Sequence, residues 1–298
     1  MKKQCVVITA YKEPETLREL LRILNKKFYC FVHIDKKVEK EFESVKSEFK
    51  DVHFTSKYKV NWGGVEHLNA IVDMLRQTLD YEYSYVHVIS GEDFPTHSVE
   101  EIEDYFEGKT NIYMQCSPCV GRKSRRARWY RFYWPYAKFR QNYKQPIVRY
   151  MNLAVIGVQV ILPFLQKKNL GEFKNIYGGL VWSSLPKDAV NYIIQYIQSD
   201  KMQICEEMEW CKIPEELCFQ TILANSDFAS RIVNDNKRYG NFDGGDGSGP
   251  VYLELEDIQK FDSIDCFFAR KIKMDSKVMD VLKERQKSLN YGDEKWQE

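Results

Sequence analysis

The stretch that decides the fold is Cys5-Val-Val-Ile-Thr-Ala10, then Pro14-Glu-Thr-Leu17-Arg-Glu-Leu20-Leu21-Arg-Ile-Leu24, then Tyr29-Cys-Phe-Val-His-Ile34. Cys5 to Thr9 is almost continuously apolar, as a strand buried on both faces must be. Pro14-Glu15 opens a helix, because proline suits a first turn and a carboxylate is favoured by the positive helix N-terminus. Leu17, Leu20, Leu21 and Leu24 recur at spacings of three and four, which gives that helix one apolar face. Tyr29 to Ile34 is a second strand. Strand, helix and strand at this pitch make a βαβ unit, whose strands run parallel. The alternation continues outward: Glu39 to Phe49 as a short helix, Val52 to Thr55 as a strand, Val65 to Leu79 as a helix carrying Leu68, Ile71, Val72 and Leu75, and Tyr85 to Ile89 as a strand. The expected fold class is α/β, with a Rossmann-like, mostly parallel sheet flanked by helices.

Beyond residue 115 the pattern loosens. Residues 129–150 are dense in Trp, Tyr, Phe and Arg. Gly178 to Leu185 reads as a strand, Ala189 to Ile197 and Glu215 to Ala224 as helices, Tyr239 to Pro250 as a glycine-dense loop, and Lys277 to Lys287 as a terminal helix. Met151 to Leu165 is apolar but short of the roughly 20 residues that span a bilayer, and Pro163 interrupts it, so a core or surface helix is expected. No repeat or linker is visible. The expectation is a single domain over residues 1–298, with one half to residue 115, a basic and aromatic insertion over 120–170, and a second half over 172–298.

At 298 residues and 44% hydrophobic the chain can fill a large core. Its net charge of +1 hides an asymmetry: between Gly108 and Gly171 there are thirteen Lys and Arg and no Asp or Glu. Such a segment is suited to an anionic partner. Nucleic acid ranks last among those partners, since no recognised binding module accompanies the charge. No charged leader with an apolar stretch and a cleavage site is present at the start, so a cytoplasmic protein with reduced thiols is expected. Cys116-Ser-Pro-Cys119 has the spacing of a zinc or redox pair, but no second pair accompanies it, and a turn is the expected role.

Four motifs in order carry a resemblance: Val32-His-Ile-Asp-Lys-Lys37, Val60-Asn-Trp-Gly-Gly64, Ser90-Gly-Glu-Asp-Phe-Pro95 and Phe268-Ala-Arg-Lys-Ile272. Together they resemble the core-2/I-branching N-acetylglucosaminyltransferases, glycosyltransferase family 14, which also contains the peptide O-xylosyltransferases. The likeness runs from about Val6 to Asp275 and is weakest between 120 and 175. It implies an inverting transferase of GT-A fold that uses a UDP-sugar and no divalent metal.

Most GT-A enzymes grip a metal through Asp-x-Asp, since hard oxygen ligands suit Mg²⁺ or Mn²⁺. This chain has no such motif at a nucleotide-side strand end. Asp35 is followed by Lys36 and Lys37, and the adjacent Glu92 and Asp93 point in different directions. Lys271 matches the lysine that neutralises the diphosphate in the family. The family's arginine some two dozen residues earlier has no counterpart, because Asn241 to Gln259 holds no basic residue and Ser248 falls near its place. Arg270 and Arg238 are the substitutes at hand.

The segment Ile213-Pro-Glu-Glu-Leu-Cys-Phe-Gln-Thr-Ile222 matches the family's Pro-Asp-Glu segment. The resemblance makes Glu216 the general base, with Glu215 left to ordinary helix-start chemistry. A nucleotide-sugar site is implied at Ile8 and Tyr11 at the end of the first strand, at Asp35 near the nucleoside or as a turn cap, and at Trp62 and Gly63. Asp93 would shape one wall, Trp182 would lie beside the donor sugar, and Arg270 and Lys271 would meet the phosphates. Arg125, Arg128 and Tyr239 are the implied acceptor contacts.

Residues 122–149 also suit peripheral contact with an anionic membrane, where lipid-linked glycans are found. The expected protein is thus a cytoplasmic, bacterial transferase, peripheral on the inner membrane face in the second reading. It moves N-acetylglucosamine, or xylose or galactose, from UDP to a glycan or lipid-linked glycan. Its rival is a catalytically silent glycan- or membrane-binding protein of the same fold.

Overall fold

The βαβ unit forms where the pattern places it: strand β1 (Gln4–Ala10), helix α1 (Pro14–Leu24) and strand β2 (Phe28–Ile34). All seven residues of β1 are buried. These features come from a computed structural model, which describes residues 3–121, 124–199, 203–243 and 249–287. Arg122, Lys123 and Ser248 lie outside the described residues.

The first half continues with α2 (Glu43–Glu48), β3 (His53–Thr55), α3 (Val65–Thr78), β4 (Tyr85–Ser90), β5 (Asp93–Pro95), α4 (Val99–Phe106), β6 (Ile112–Met114) and β7 (Ser117–Pro118). The insertion supplies α5 (Arg125–Arg131), α6 (Pro135–Lys138) and α7 (Pro146–Ile161). The second half contributes β8 (Tyr177–Gly178), β9 (Ser183–Pro186), α8 (Lys187–Gln198), α9 (Gln203–Met208), α10 (Cys218–Ala224), β10 (Ile232–Val233), β11 (Arg238–Gly240), α11 (Leu255–Asp262), β12 (Phe268–Arg270) and α12 (Lys277–Lys287).

The large sheet runs β10-β6-β9-β4-β1-β2-β3. β1 lies parallel between β2 and β4, while β9 enters antiparallel between β4 and β6. The mostly parallel α/β sheet expected from the sequence is the one observed. Side chains alternate along β1: Cys5 and Val7 join the core under α3 and α8, and Val6 and Ile8 join the opposite core with Leu17, Leu20 and Leu21 of α1. A third, small cluster of Phe132, Trp134, Tyr136, Ala137, Val148 and Ile156 belongs to the insertion alone.

Three expectations need correction. The Glu39 to Phe49 helix divides into a 3₁₀ turn, Glu39–Phe42, and α2. The strand expected over Gly178 to Leu185 is interrupted between β8 and β9, where the Gly179 amide donates to the Glu216 carbonyl at 3.0 Å instead of to a neighbouring strand. The helix expected from Glu215 begins as a 3₁₀ turn, Pro214–Glu216, before α10. Among the described residues, no helix is long and apolar enough to cross a membrane.

Candidate active site

Parallel strands deliver the loops at their carboxyl ends to one edge of the sheet, the place where α/β folds put ligands. Directly after β1 come Tyr11, half exposed, and Lys12. The Lys12 ammonium lies 3.0 Å from Glu92 Oε1 and donates to the Tyr252 hydroxyl at 3.0 Å. Burial pulls the Lys12 pKa down, but the bonds to Tyr252 and Glu92 outweigh it and hold the ammonium well above its ordinary range. Tyr252 in turn donates to Glu92 Oε1 at 3.0 Å. The backbone beside Tyr252 pairs with Lys271: Leu253 donates to the Lys271 carbonyl at 2.9 Å, and Ile272 to that of Glu92 at 2.9 Å. Lys12 and Lys271 therefore belong to one cluster of segments, which the sequence reading missed for Lys12. Its signal was its place, next to Tyr11 at the end of the first strand.

The adjacent carboxylates Glu92 and Asp93 do diverge. Asp93 is fully buried; its carboxylate accepts from the Ser90 amide at 2.7 Å and the Ser90 hydroxyl at 2.9 Å, and pairs with Arg270 Nε at 3.0 Å. With no exposed surface, Asp93 acts through Arg270, which it holds in place. Ile8 is likewise fully buried in the core and offers no side-chain surface to a nucleotide.

The Arg270 guanidinium stacks 4.1 Å from the Trp182 ring, and Trp182 meets the edge of His67 at 6.1 Å. His67 is bonded through Nε2 to Thr9 Oγ1 at 3.2 Å and through Nδ1 to Glu215 Oε1 at 3.0 Å. His67 and Glu215 were not among the expected site residues, since nothing in the sequence links groups so far apart along the chain. Arg238, one proposed substitute for the missing arginine, is engaged elsewhere: it donates to Ser184 Oγ at 2.8 Å and to the Ser183 carbonyl at 2.8 Å, locking β11 to β9. Burial lowers its pKa to about 9.

The two glutamates of the Pro214–Glu216 turn face apart. Ile213 precedes them at φ +50°, a left-handed conformation costly for a branched side chain, and its amide is tied to the Gly63 carbonyl at 3.0 Å. Glu215 turns toward His67. Glu216 turns toward the insertion and accepts from Arg126 Nε at 3.2 Å and Nη2 at 3.1 Å. Burial pushes the Glu216 carboxyl up to about 7, against the pull of Arg126 and with a push from Glu215. Gly178 and Gly179 build its cradle: a Cβ on Gly178 would stand 2.8 Å from Arg126 Cδ, and the Gly179 amide donates to the Glu216 carbonyl at 3.0 Å.

The insertion supplies cations. Arg125 and Arg128 lie on α5 beside Trp129 and Phe132. Lys212 sits 4.9 Å from the Trp62 ring and 5.0 Å from those of Trp134 and Tyr143. Burial, with Arg125, Arg128 and Arg149 nearby, lowers the Lys212 pKa to about 8. Trp62 therefore packs toward the insertion, and Gly63, at φ +74°, has Tyr136 against it. Tyr239 is bonded to Asp257 at 2.9 Å and packs on Phe261, which ties it to α11. Asp35 caps its own turn, accepting from the Lys37 amide at 2.9 Å and the Val60 amide at 3.3 Å. Both Cys116 and Cys119 are free thiols pushed up to about 11 by burial. Among the described residues no three His, Cys, Asp or Glu side chains form a group able to hold a metal. A cleft of about 310 Å³ between His33, Tyr58, Asp73 and Arg76 lies at the β3 edge, and neither Glu216 nor Lys271 lines it.

The model of the family described as core-2/I-branching enzyme matches residues 6–262. The chain belongs to the core-2/I-branching enzyme family. Over 114 residues it is 29% identical to a probable beta-1,3-galactosyl-O-glycosyl-glycoprotein beta-1,6-N-acetylglucosaminyltransferase 7 of Sus scrofa, covering 35% of this chain and 26% of that protein. It thus spans about a quarter of that relative's length. Among solved structures it is similar to the WbbM bifunctional glycosyltransferase, at 11% identity and TM-score 0.39 over 96% of this chain and 52% of that one. It is also similar to core-mannan synthase A of Aspergillus fumigatus in an Mn/GDP form, at 10% identity and TM-score 0.34 over 76% and 71%. For this member of the core-2/I-branching family, the arrangement puts a carboxylate with a pKa near neutrality at the insertion and two lysines at the strand ends.

Proposed function

We propose that this chain is an inverting glycosyltransferase that moves a sugar from a UDP-sugar to a hydroxyl of a glycan acceptor without a divalent metal. Glu216 is the general base, and Lys271 with Lys12 neutralises the diphosphate. The observation that carries the reading is Glu216 itself: a largely buried carboxyl with a pKa of about 7, held by Arg126 at 3.1 Å beside a cationic face. A base titrating near neutrality combines a useful ionised fraction with enough basicity to accept a proton.

The acceptor oxygen forms the new bond to the anomeric carbon while the bond from that carbon to the phosphate oxygen breaks. The electron pair leaves on UDP, and the hydroxyl proton passes to Glu216. Attack opposite the leaving group inverts the centre. Ammonium groups offset the negative charge that grows on UDP, the task a metal performs in other transferases. Lys12 fills the role of the missing arginine in this reading, because its ammonium, though paired with Glu92, is partly exposed at the end of β1, whereas Arg270 is buried between Asp93 and Trp182. Arg125 and Arg128 line the acceptor side. The distant relative's name favours N-acetylglucosamine as the donor sugar, with UDP-xylose and UDP-galactose next.

The test is UDP release from these three UDP-sugars, with candidate glycan acceptors, in the presence and absence of EDTA. Turnover that survives EDTA, falls about a thousandfold in Glu216→Gln and leaves UDP binding intact is the expected result. Strict dependence on Mn²⁺, or a fully active Glu216→Gln, would overturn it, as would no turnover with any of these donors.

A further inference from the structure

The helix α7 is built inside out. Its buried stripe is Val148, Asn152, Ile156 and Gln159, so two of the four side chains facing the protein are polar amides. Both amides are bonded to the body. The Tyr136 amide donates to Asn152 Oδ1 at 3.1 Å, while Gln159 accepts from the Tyr133 amide at 2.8 Å and donates to the Tyr133 carbonyl at 3.1 Å.

The outward faces are apolar. Ile147 is 69% exposed, Met151 58%, Val160 55% and Ile161 77%, and in the 3₁₀ turn that follows, Pro163–Leu165, Phe164 is 75% exposed. A helix at a water surface shows the reverse arrangement, with its apolar stripe inward. A contiguous apolar surface of this kind marks a face that is covered in use.

Charge selects what covers it. Exposed Arg140, Lys144 and Arg149 stand just before or within the start of the helix, and exposed Lys168 follows its end. No acidic residue occurs between Gly108 and Gly171. A second copy of the chain would bring the same one-signed segment against itself, whereas an anionic surface meets it with opposite charge. The helix has 16 residues, about 24 Å at 1.5 Å per residue, which is short of a bilayer's hydrocarbon thickness. Lying in the interface, with apolar side chains among the acyl chains and cations at the headgroups, is the geometry that remains.

We propose that α7 and the Pro163–Leu165 turn seat this chain on an anionic lipid bilayer, parallel to its surface. This moves the membrane contact from residues 122–149 to the helix that follows them, with Arg140, Lys144 and Arg149 kept as its cationic rim. The seat is independent of the transfer reaction, since vesicle binding requires neither donor nor acceptor.

The experiment is co-sedimentation of the full chain with phosphatidylcholine vesicles containing about one third phosphatidylglycerol, and with pure phosphatidylcholine vesicles. The chain is expected to pellet with the anionic vesicles and to be weakened at high salt. The double variant Ile161→Asp, Phe164→Asp should lower vesicle affinity at least about tenfold, while its melting temperature and its turnover of a water-soluble acceptor stay as in the parent. Ile161→Leu should bind as the parent does. A parent chain that stays in the supernatant with the anionic vesicles would overturn the proposal, as would a double variant that pellets equally well. A stable dimer in solution that the two aspartates dissociate would overturn it too, by giving the face to a second copy.

Discussion

The sheet and the insertion obey opposite rules. In β1, α1 and β4 the apolar side chains point inward, and the buried carboxylate of Asp93 on β5 is matched by Arg270 of β12 at 3.0 Å. In α7 of the insertion, two amides point inward beside Val148 and Ile156, large apolar side chains such as Ile161 are exposed, and the charges of the segment share one sign. The first region is shaped by its own core. The second is shaped by what it meets, so its pattern describes a partner. Glu215 and Glu216 stand at the seam, one turned to His67 near the sheet and one to Arg126 of the insertion.

The strongest way to test the sheet's side of this contrast is to unmatch its buried pair. Asp93 is fully buried, and burial raises its pKa even against Arg270, so the pair is held by the fold around it. Asp93→Asn keeps the size but leaves Arg270 without its counter-charge, and should cost about 3 kcal/mol of stability, read by urea unfolding. A loss under about 1 kcal/mol would mean the arginine finds another anion or reaches water, and the sheet would be no more exacting than the insertion.

A smaller effect is expected at the seam. Glu216 acts as a base when ionised, so kcat/KM should fall as pH drops through about 7. Arg126→Met removes the cation that favours the carboxylate, so the Glu216 pKa should rise further and the acid limb should move to higher pH, by about one unit. The same change has a stability sign. The folded state holds the Glu216 proton more tightly than the unfolded state, whose value is near 4.5, so this group's contribution is full below that value and is lost as pH rises through about 7. Arg126→Met should steepen that loss. An unmoved limb would assign the titration to another group, with Glu215 the first to examine.

The contrast also explains what was legible in the sequence. β1, α1, β2, α3, β4 and α12 were readable to within one or two residues, because a periodic apolar pattern is a local signal. Glu216 and Lys271 entered the proposed site through short motifs. Lys12, His67, Arg126 and Lys212 were not, since each acquires its role from partners far along the chain, as His67 does from Glu215. Asp93 and Ile8 were placed at the site by their strand-end positions, and the structure buries both side chains fully. The insertion was misleading for a different reason. Met151 to Leu165 has the composition of a core helix, and only the bonds of Asn152 and Gln159 to Tyr136 and Tyr133 decide which way it faces.

The same substitution placed in both regions should have a large effect in one and the smallest of all in the other, which makes it the sharpest test of the difference. Val7 on β1 is fully buried, while Val158 on α7 is 49% exposed. Val7→Ser puts an unpartnered hydroxyl into a packed core and removes apolar volume, and should cost about 3 kcal/mol in lipid-free solution. Val158→Ser exchanges two methyl groups for a hydroxyl on a half-exposed side chain, and should stay within about 0.5 kcal/mol. Its effect should appear only when anionic vesicles are present, as weaker co-sedimentation. If Val158→Ser instead destabilised the lipid-free chain as Val7→Ser does, α7 would be packed against protein in solution, and the insertion would follow the same rule as the sheet.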